Sequence, residues 1–176
     1  MSYVDSPEFK FYEALRDGEI DEVVAFQKQG IDVLKVTGND KWTYLHQMFM
    51  STSPDPEDRT PIATIQFLID QGLDVNAIDS YGNTPLIYAV RQRNVEGIRL
   101  LLENGADKLI EHENNDGVSA LRMGFDQKPY VYDVFKALLD FGGNPNTQNK
   151  NGKTLKDLLD IIADVDPEIH ALFKKY

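Results

Sequence analysis

Glycine recurs along this chain at intervals that indicate an internal repeat. Four segments end in a glycine followed by a short polar or β-branched tail, at Gly30, Gly72, Gly105 and Gly142. A hydroxyl residue follows each glycine by 12 to 14 positions, as Thr43, Thr84, Ser119 and Thr154. Self-similarity at a period of about 20 to 50 residues is typical of repeat architectures. The sequence therefore predicts stacked units.

The third unit shows what each recurring residue does. Gly82 can take the positive φ of a tight turn, Thr84 can cap a helix with its hydroxyl, and Pro85 suits the first helical position. A second helix follows, with an apolar stripe that includes Val95, Ile98, Leu101 and Leu102 and a stop at Gly105. One unit cannot bury both of its helical stripes, so neighbouring units must stack.

The two segments from Asp79 to Ala89 and from Asn94 to Asp107 resemble the ankyrin repeat, a β-turn and two antiparallel helices over about 33 residues. The resemblance covers roughly residues 10–165. It implies an all-α fold, an ankyrin-repeat α-solenoid of about five helix-turn-helix units with short β-hairpin fingers. We expect a single domain over residues 1–176 whose outer units are caps, with units at about 7–32, 33–74, 75–106, 107–145 and 146–176.

Several positions depart from the repeat. Lys41 stands where the turn glycine belongs, and Tyr44 and Ala120 replace the proline. Residues 51–60 form a proline-rich acidic insertion, and residues 109–115 lengthen the third finger. Insertions of this kind often lie on a binding face, although a tolerated loop is an equal alternative.

Catalytic, cofactor and metal sites are not expected. The chain has no cysteine, and its three histidines are far apart with no second ligand at metal spacing. The resemblance gives His46 a structural role, a hydrogen bond to backbone between repeats, in preference to a catalytic or ligand role. Gly152-Lys-Thr154 lacks the earlier glycine of a phosphate-binding loop, and residues 112–123 lack the final carboxylate of a calcium loop.

The net charge of −11 disfavours direct nucleic-acid binding, because an acidic surface repels the phosphate backbone. Residues 1–120 hold 21 acids and 10 bases, whereas residues 121–176 hold 8 of each. No apolar run approaches the roughly 20 residues of a membrane span. The first residues do not resemble a secretory signal, so we expect a cytoplasmic protein, monomeric on its own.

The resemblance places partner binding on the fingertips and the exposed side of the first helices. The candidate partner-binding residues are Asp40, Trp42, Ser80, Tyr81, Asn83, Arg91, Gln92, Asp116, Val118 and Asp126. Exposed aromatic residues are common interface anchors, which favours Trp42 and Tyr81. Equally, Trp42 can fold over a neighbouring finger and cover the core. We expect Tyr88 to pack in the core.

Three functions are compatible with these features. The first is an inhibitor or immunity-type protein that masks a basic protein partner, such as a toxin or nuclease, since an acidic surface steers and holds positive charge. The chain is similar to small bacterial ankyrin proteins, some of which accompany toxins. The second is a general adaptor or regulatory scaffold without an inhibitory role. The third, an enzyme, has no motif in its favour.

Overall fold

A computed structural model describes residues 3–51, 53, 55–149 and 151–176. Within these residues the regular structure is helical, apart from one antiparallel β-bridge between Glu113 and Ser119. The helices are α1 (Pro7–Asp17), α2 (Ile20–Lys28), α3 (Tyr44–Met48), α4 (Ile62–Asp70), α5 (Pro85–Arg91), α6 (Val95–Glu103), α7 (Ala120–Met123), α8 (Tyr132–Asp140), α9 (Leu155–Leu159) and α10 (Pro167–Phe173). Short 3-10 turns lie at Tyr3–Asp5, Pro56–Asp58 and Ala106–Leu109.

The helices form two layers. Successive helices pack as pairs, α1 with α2, α3 with α4, α5 with α6 and α7 with α8. The first helices also contact one another in the order α1, α3, α5 and α7, and the second helices do so in the order α4, α6, α8 and α10. This arrangement confirms the predicted all-α repeat solenoid. The unit boundaries stay a proposal.

Four fingers connect the helix pairs, each closed by one backbone hydrogen bond between its ends. The bonds run from Asp79 N to Asn83 O at 3.0 Å, from Asn114 N to Val118 O at 3.1 Å, and from Asn149 N to Lys153 O at 3.0 Å. The first finger, residues 37–42, is one residue longer and closes from Thr37 N to Trp42 O at 2.9 Å. We call residues 37–42, 79–83, 114–118 and 149–153 the fingers.

The finger turns need a left-handed backbone, as the sequence predicted. Gly82 has a φ of 79°, and a Cβ there would lie 2.8 Å from the backbone nitrogen of Asn115 in the next finger. Lys41, which replaces the expected glycine, takes the same conformation with a φ of 56°. A left-handed residue with a side chain costs about 1–2 kcal/mol, so this finger keeps its shape at an energetic cost.

The start of α5 confirms the capping prediction. Thr84 Oγ1 accepts a hydrogen bond from Ile87 N at 3.4 Å, and Pro85 occupies the first turn of the helix. Behind it, Leu86 and Ala89 are buried, and Tyr88 is only 5% exposed, in agreement with its predicted place in the core. A small side chain at position 89 allows α5 to approach its neighbours closely.

Candidate protein-binding surface

The fingers are joined edge to edge along the stack. Ser80 N donates to Asp40 O at 2.9 Å, which links the second finger to the first. Asn115 N donates to Tyr81 O at 3.0 Å, and Asn115 Nδ2 donates to Ser80 O at 3.0 Å, which links the third finger to the second. The tips of three fingers therefore form one continuous border.

Asp79 organises the second finger from within. This residue is 4% exposed, and its carboxylate accepts four hydrogen bonds, from the backbone N–H groups of Tyr81 and Asn83 and from the side chains of Trp42 and Tyr88. The four distances lie between 2.7 and 3.0 Å. A buried carboxylate is tolerated when its oxygens are satisfied in this way. Sequence reasoning missed this residue.

Trp42 and Tyr81 form an aromatic pair across the first two fingers. Their rings stack with centroids 6.2 Å apart and an interplanar angle of 26°. Trp42 is half-buried, and its indole N–H donates to Asp79 Oδ2 of the neighbouring finger at 3.0 Å. Tyr81 is 51% exposed, so it offers most of the solvent-accessible surface of this pair.

The Asp40 carboxylate lies beside the hydroxyl of Tyr81. Its hydroxyl donates to Asp40 Oδ1 at 2.9 Å, and this hydrogen bond to a carboxylate raises the pKa of Tyr81. The tyrosine is therefore neutral near pH 7, and the adjacent negative charge belongs to Asp40. An exposed ring face beside a carboxylate is suited to a Lys or Arg side chain, which can stack on the ring and pair with the charge.

His46 has the structural role that the resemblance implied. It is fully buried, and Thr43 N donates to its Nδ1 at 3.1 Å, so its Nε2 carries the proton and donates to Asn83 O at 3.2 Å. Burial lowers the pKa of His46, which keeps the ring neutral. His112 makes a similar link one repeat later, from Nε2 to Gly82 O at 2.8 Å.

The helices behind the fingertips form a shallow groove. A cavity of about 180 Å³ lies between α5 and α7, where Asn83, Arg91, Asp116 and Asp126 meet at its rim. The Arg91 guanidinium lies 4.7 Å from the centroid of the Tyr88 ring, within the range of a cation–π interaction. Four of the predicted binding residues therefore share one surface with the fingertips.

Of the remaining candidate residues, one is exposed and the others help to hold the fold. Ser80 is exposed at the tip, whereas Val118 is half-buried and its backbone closes the third finger. Gln92 was expected to be a surface residue available for partner binding, but the structure shows that it supports the fold. It is only 7% exposed, its Nε2 donates to Ser51 O at 3.3 Å, and its Oε1 accepts from Asn94. These bonds tie the insertion to the helix turn, and we leave Gln92 out of the binding surface.

The insertion is anchored by hydrogen bonds to the next unit. Besides the bond to Gln92, Arg59 Nη2 donates to Gln92 O at 3.2 Å, and Thr60 is buried. Residues 52 and 54 of the insertion lie outside the described part of the chain.

The described residues offer neither a cluster of metal ligands nor a membrane-spanning helix. They contain no group of three or more His, Asp or Glu side chains that could hold a metal ion. None of their helices combines the length and the apolar character that crossing a bilayer requires.

Comparison with known proteins gives a family match over more than half of the chain. The family model described as Ankyrin repeats (3 copies) matches residues 11–112. This range includes most of α1, all of α2 to α6 and the first two fingers, together with His46, Asp79 and the aromatic pair. The match confirms the resemblance on which the expected surface was based.

Individual relatives agree with this result. The chain is 33% identical over 140 residues to an ankyrin repeat protein of Acanthamoeba polyphaga mimivirus, covering 75% of this chain and 21% of that protein. An ankyrin repeat protein of fowlpox virus (strain NVSL) is 32% identical over 145 residues, covering 82% and 20%. Ankyrin repeat and SOCS box protein 6 of Homo sapiens is 44% identical over 113 residues, covering 53% and 26%. The chain thus spans about a fifth to a quarter of the length of these relatives.

Proposed function

This chain belongs to the ankyrin-repeat family, and from that premise we propose that it binds and masks a basic protein partner. Ankyrin repeats are protein–protein interaction modules and are generally non-catalytic, so the open question concerns the partner and the surface. We assign the contact to the fingertips and the groove between α5 and α7. Binding there would inhibit the partner, as an immunity-type protein inhibits a toxin.

One observation carries this proposal, the exposed Tyr81 ring with the Asp40 carboxylate at its edge. A cation over an exposed aromatic ring gains about 0.5–1 kcal/mol, and an exposed ion pair adds up to about 1 kcal/mol. Asp116 and Asp126 at the groove rim add negative charge. The excess of 21 acids over 10 bases in residues 1–120 supports attraction of a positively charged surface from a distance.

Affinity capture from a lysate of the source organism tests this proposal. The wild type is compared with Tyr81→Ala, a change that leaves the Asp79 hydrogen bond of Trp42 in place. The matched control is Tyr176→Ala, because Tyr176 is 43% exposed and its hydroxyl also donates to an aspartate, Asp140. We expect a basic protein to be captured by the wild type and the control and lost by Tyr81→Ala.

Full retention of the basic protein by Tyr81→Ala would contradict the proposed surface, as would an acidic or neutral protein whose capture depends on Tyr81. Masking needs a second assay, in which the purified partner is titrated with this chain and its activity is followed. Loss of activity at stoichiometric amounts supports the inhibitory role.

The alternative is a general adaptor or regulatory scaffold. It is favoured by the equal numbers of acids and bases in residues 121–176, which give that third of the chain no preference for a basic partner. A partner that binds there and keeps its activity would establish the adaptor role and remove the argument from charge.

A further inference from the structure

A second cleft lies at the opposite end of the first helices from the fingertips. It has a volume of about 330 Å³ and is bordered by the insertion, the turn between α5 and α6, and the loop after α7. Its lining includes Arg59, Arg91, Arg93 and Lys128 and no aspartate or glutamate. We call it the arginine cleft. In a chain of net charge −11, a cleft with only positive charges in its lining is unexpected.

Neutral groups contact the three arginines: Arg91 lies over the Tyr88 ring, whereas Arg59 and Arg93 donate hydrogen bonds to uncharged oxygens. Arg93 donates to Gln127 Oε1 at 3.2 Å and to Lys128 O at 3.5 Å, and Arg59 donates to Gln92 O at 3.2 Å. The ion pairs found among the described residues are Arg16–Asp17, Lys128–Asp164 and Lys136–Asp140. The guanidinium charges of Arg59, Arg91 and Arg93 are therefore not neutralised by a carboxylate within that part of the chain.

Arg59 adds an unsatisfied donor. Its Nε is buried and has no hydrogen-bond partner among the described residues. The guanidinium as a whole borders the cleft, so its outer N–H groups are the donors that a ligand can reach. A guanidinium presents its donors in a planar fork that matches the two oxygens of a carboxylate.

We propose that the arginine cleft binds an acidic peptide segment of a protein partner, through Asp or Glu side chains. The positive lining, which holds no carboxylate, selects an anion. The net charge of the molecule disfavours a long nucleic acid, whose phosphates would extend beyond the cleft across acidic surface. This site goes beyond the proposed function, because it lies at the C-terminal ends of the first helices, shares only Arg91 with the groove between α5 and α7, and selects the opposite charge.

The test is a titration of the 15N-labelled full chain with an acetylated hexaglutamate peptide in 150 mM NaCl, followed by NMR. At this ionic strength charges farther apart than about 8 Å are largely screened, so contacts in the cleft decide the result. We expect chemical-shift changes at Arg59 Nε–H and at the amides of Gln92 and Arg93. Tyr81→Ala should bind the peptide as the wild type does, which separates this site from the fingertips.

The variant Arg91→Gln/Arg93→Gly removes two cations from the cleft. Glycine suits position 93, because Arg93 has a φ of 55°. We expect about tenfold weaker binding, since each exposed pair contributes up to about 1 kcal/mol and 1.4 kcal/mol corresponds to tenfold. The control Arg99→Gln/Lys108→Gln makes the same change in net charge at exposed positions outside the cleft, and we expect it to bind within about twofold of the wild type.

Absence of shifts in the cleft of the wild type would overturn the proposal, as would equal weakening in the cleft and control variants. Parallel titrations use inorganic phosphate and a six-nucleotide thymidine DNA strand. Tighter binding of either than of hexaglutamate would show that the cleft prefers phosphate to an acidic peptide. Circular dichroism establishes that each variant is folded, and if the cleft variant is not, the shifts mapped on the wild type decide the question.

Discussion

The four hydrogen bonds to Asp79 predict how three substitutions change stability. In Asp79→Ala all four donors lose their acceptor. The N–H groups of Tyr81 and Asn83 lie near the fingertip and can reach water, whereas the Trp42 indole N–H and the Tyr88 hydroxyl are less accessible. At about 1–3 kcal/mol for each unsatisfied buried donor, we expect the free energy of unfolding to fall by about 3–4 kcal/mol.

Asp79→Asn should lower the free energy of unfolding less than Asp79→Ala does, because an asparagine side chain accepts the corresponding backbone hydrogen bonds in another finger. Asn114 Oδ1 accepts from the N–H groups of Asp116 and Val118 in the third finger. The new Oδ1 at position 79 can therefore keep both backbone bonds, and Tyr88 can turn its hydroxyl to accept from the amide. The indole of Trp42 is only a donor and would face the amide nitrogen. One unsatisfied donor predicts a loss of about 1–2 kcal/mol.

Urea unfolding followed by circular dichroism measures these changes. In the wild type and Asp79→Ala, fluorescence of Trp42, the only tryptophan, reports on the first fingers at the same time. Trp42→Phe removes the indole donor, so it should cost less stability in the Asp79→Asn background than in the wild type. Asp116→Asn is the control, since this side chain is exposed and a change within about 0.5 kcal/mol is expected. Equal losses for Asp79→Ala and Asp79→Asn, or no coupling with Trp42→Phe, would refute the reasoning.

Three other substitutions follow from local geometry. Lys41→Gly should raise the free energy of unfolding by about 1 kcal/mol in urea, because it relieves a left-handed side-chain residue; a loss would show that the lysine makes a compensating contact. Gly97→Ala should destabilise by about 1–3 kcal/mol although alanine favours helices, since its Cβ would lie 2.5 Å from Phe49 Cε1; a gain in melting temperature would contradict this. Burial lowers the pKa of His46, so the unfolded chain binds more protons below pH 6.5; stability is therefore full above that pH and falls as the pH drops below it. His46→Gln should lack this component in urea unfolding at pH 7.5 and 5.5, and an identical pH dependence in both proteins would exclude it.

The fold could be predicted because the repeat encodes local geometry. Gly82, Thr84 and Pro85 determine a turn and a helix start within a few residues, and the structure confirms each of them. The left-handed conformation of Lys41 follows from position in the repeat even though the residue type argues against it. Such features depend on neighbours in sequence, which a single chain displays directly.

The candidate site was predictable only in part, because its geometry depends on neighbouring units. Position in the repeat identified the aromatic residues and His46, but it did not reveal that Asp79 receives the indole of Trp42 from the preceding finger. It also placed Gln92 on the surface, whereas the long insertion covers this residue and uses its side chain. The residues that line the arginine cleft come from three separate turns, and no pattern along the chain shows that these turns lie together.

The hydrogen-bonded fingertip border and the two helix layers resist deformation differently. Parting the tips would break directional bonds such as Ser80 N to Asp40 O, whereas the helix layers adjust through small shifts of side-chain packing. The distance between neighbouring fingertips should therefore stay nearly constant when the stack bends. Bending should instead change the distances between helices of neighbouring units. A bound partner would then change the curvature of the groove without changing the spacing of the fingertips. The contact residues of the partner would have to match that constant spacing.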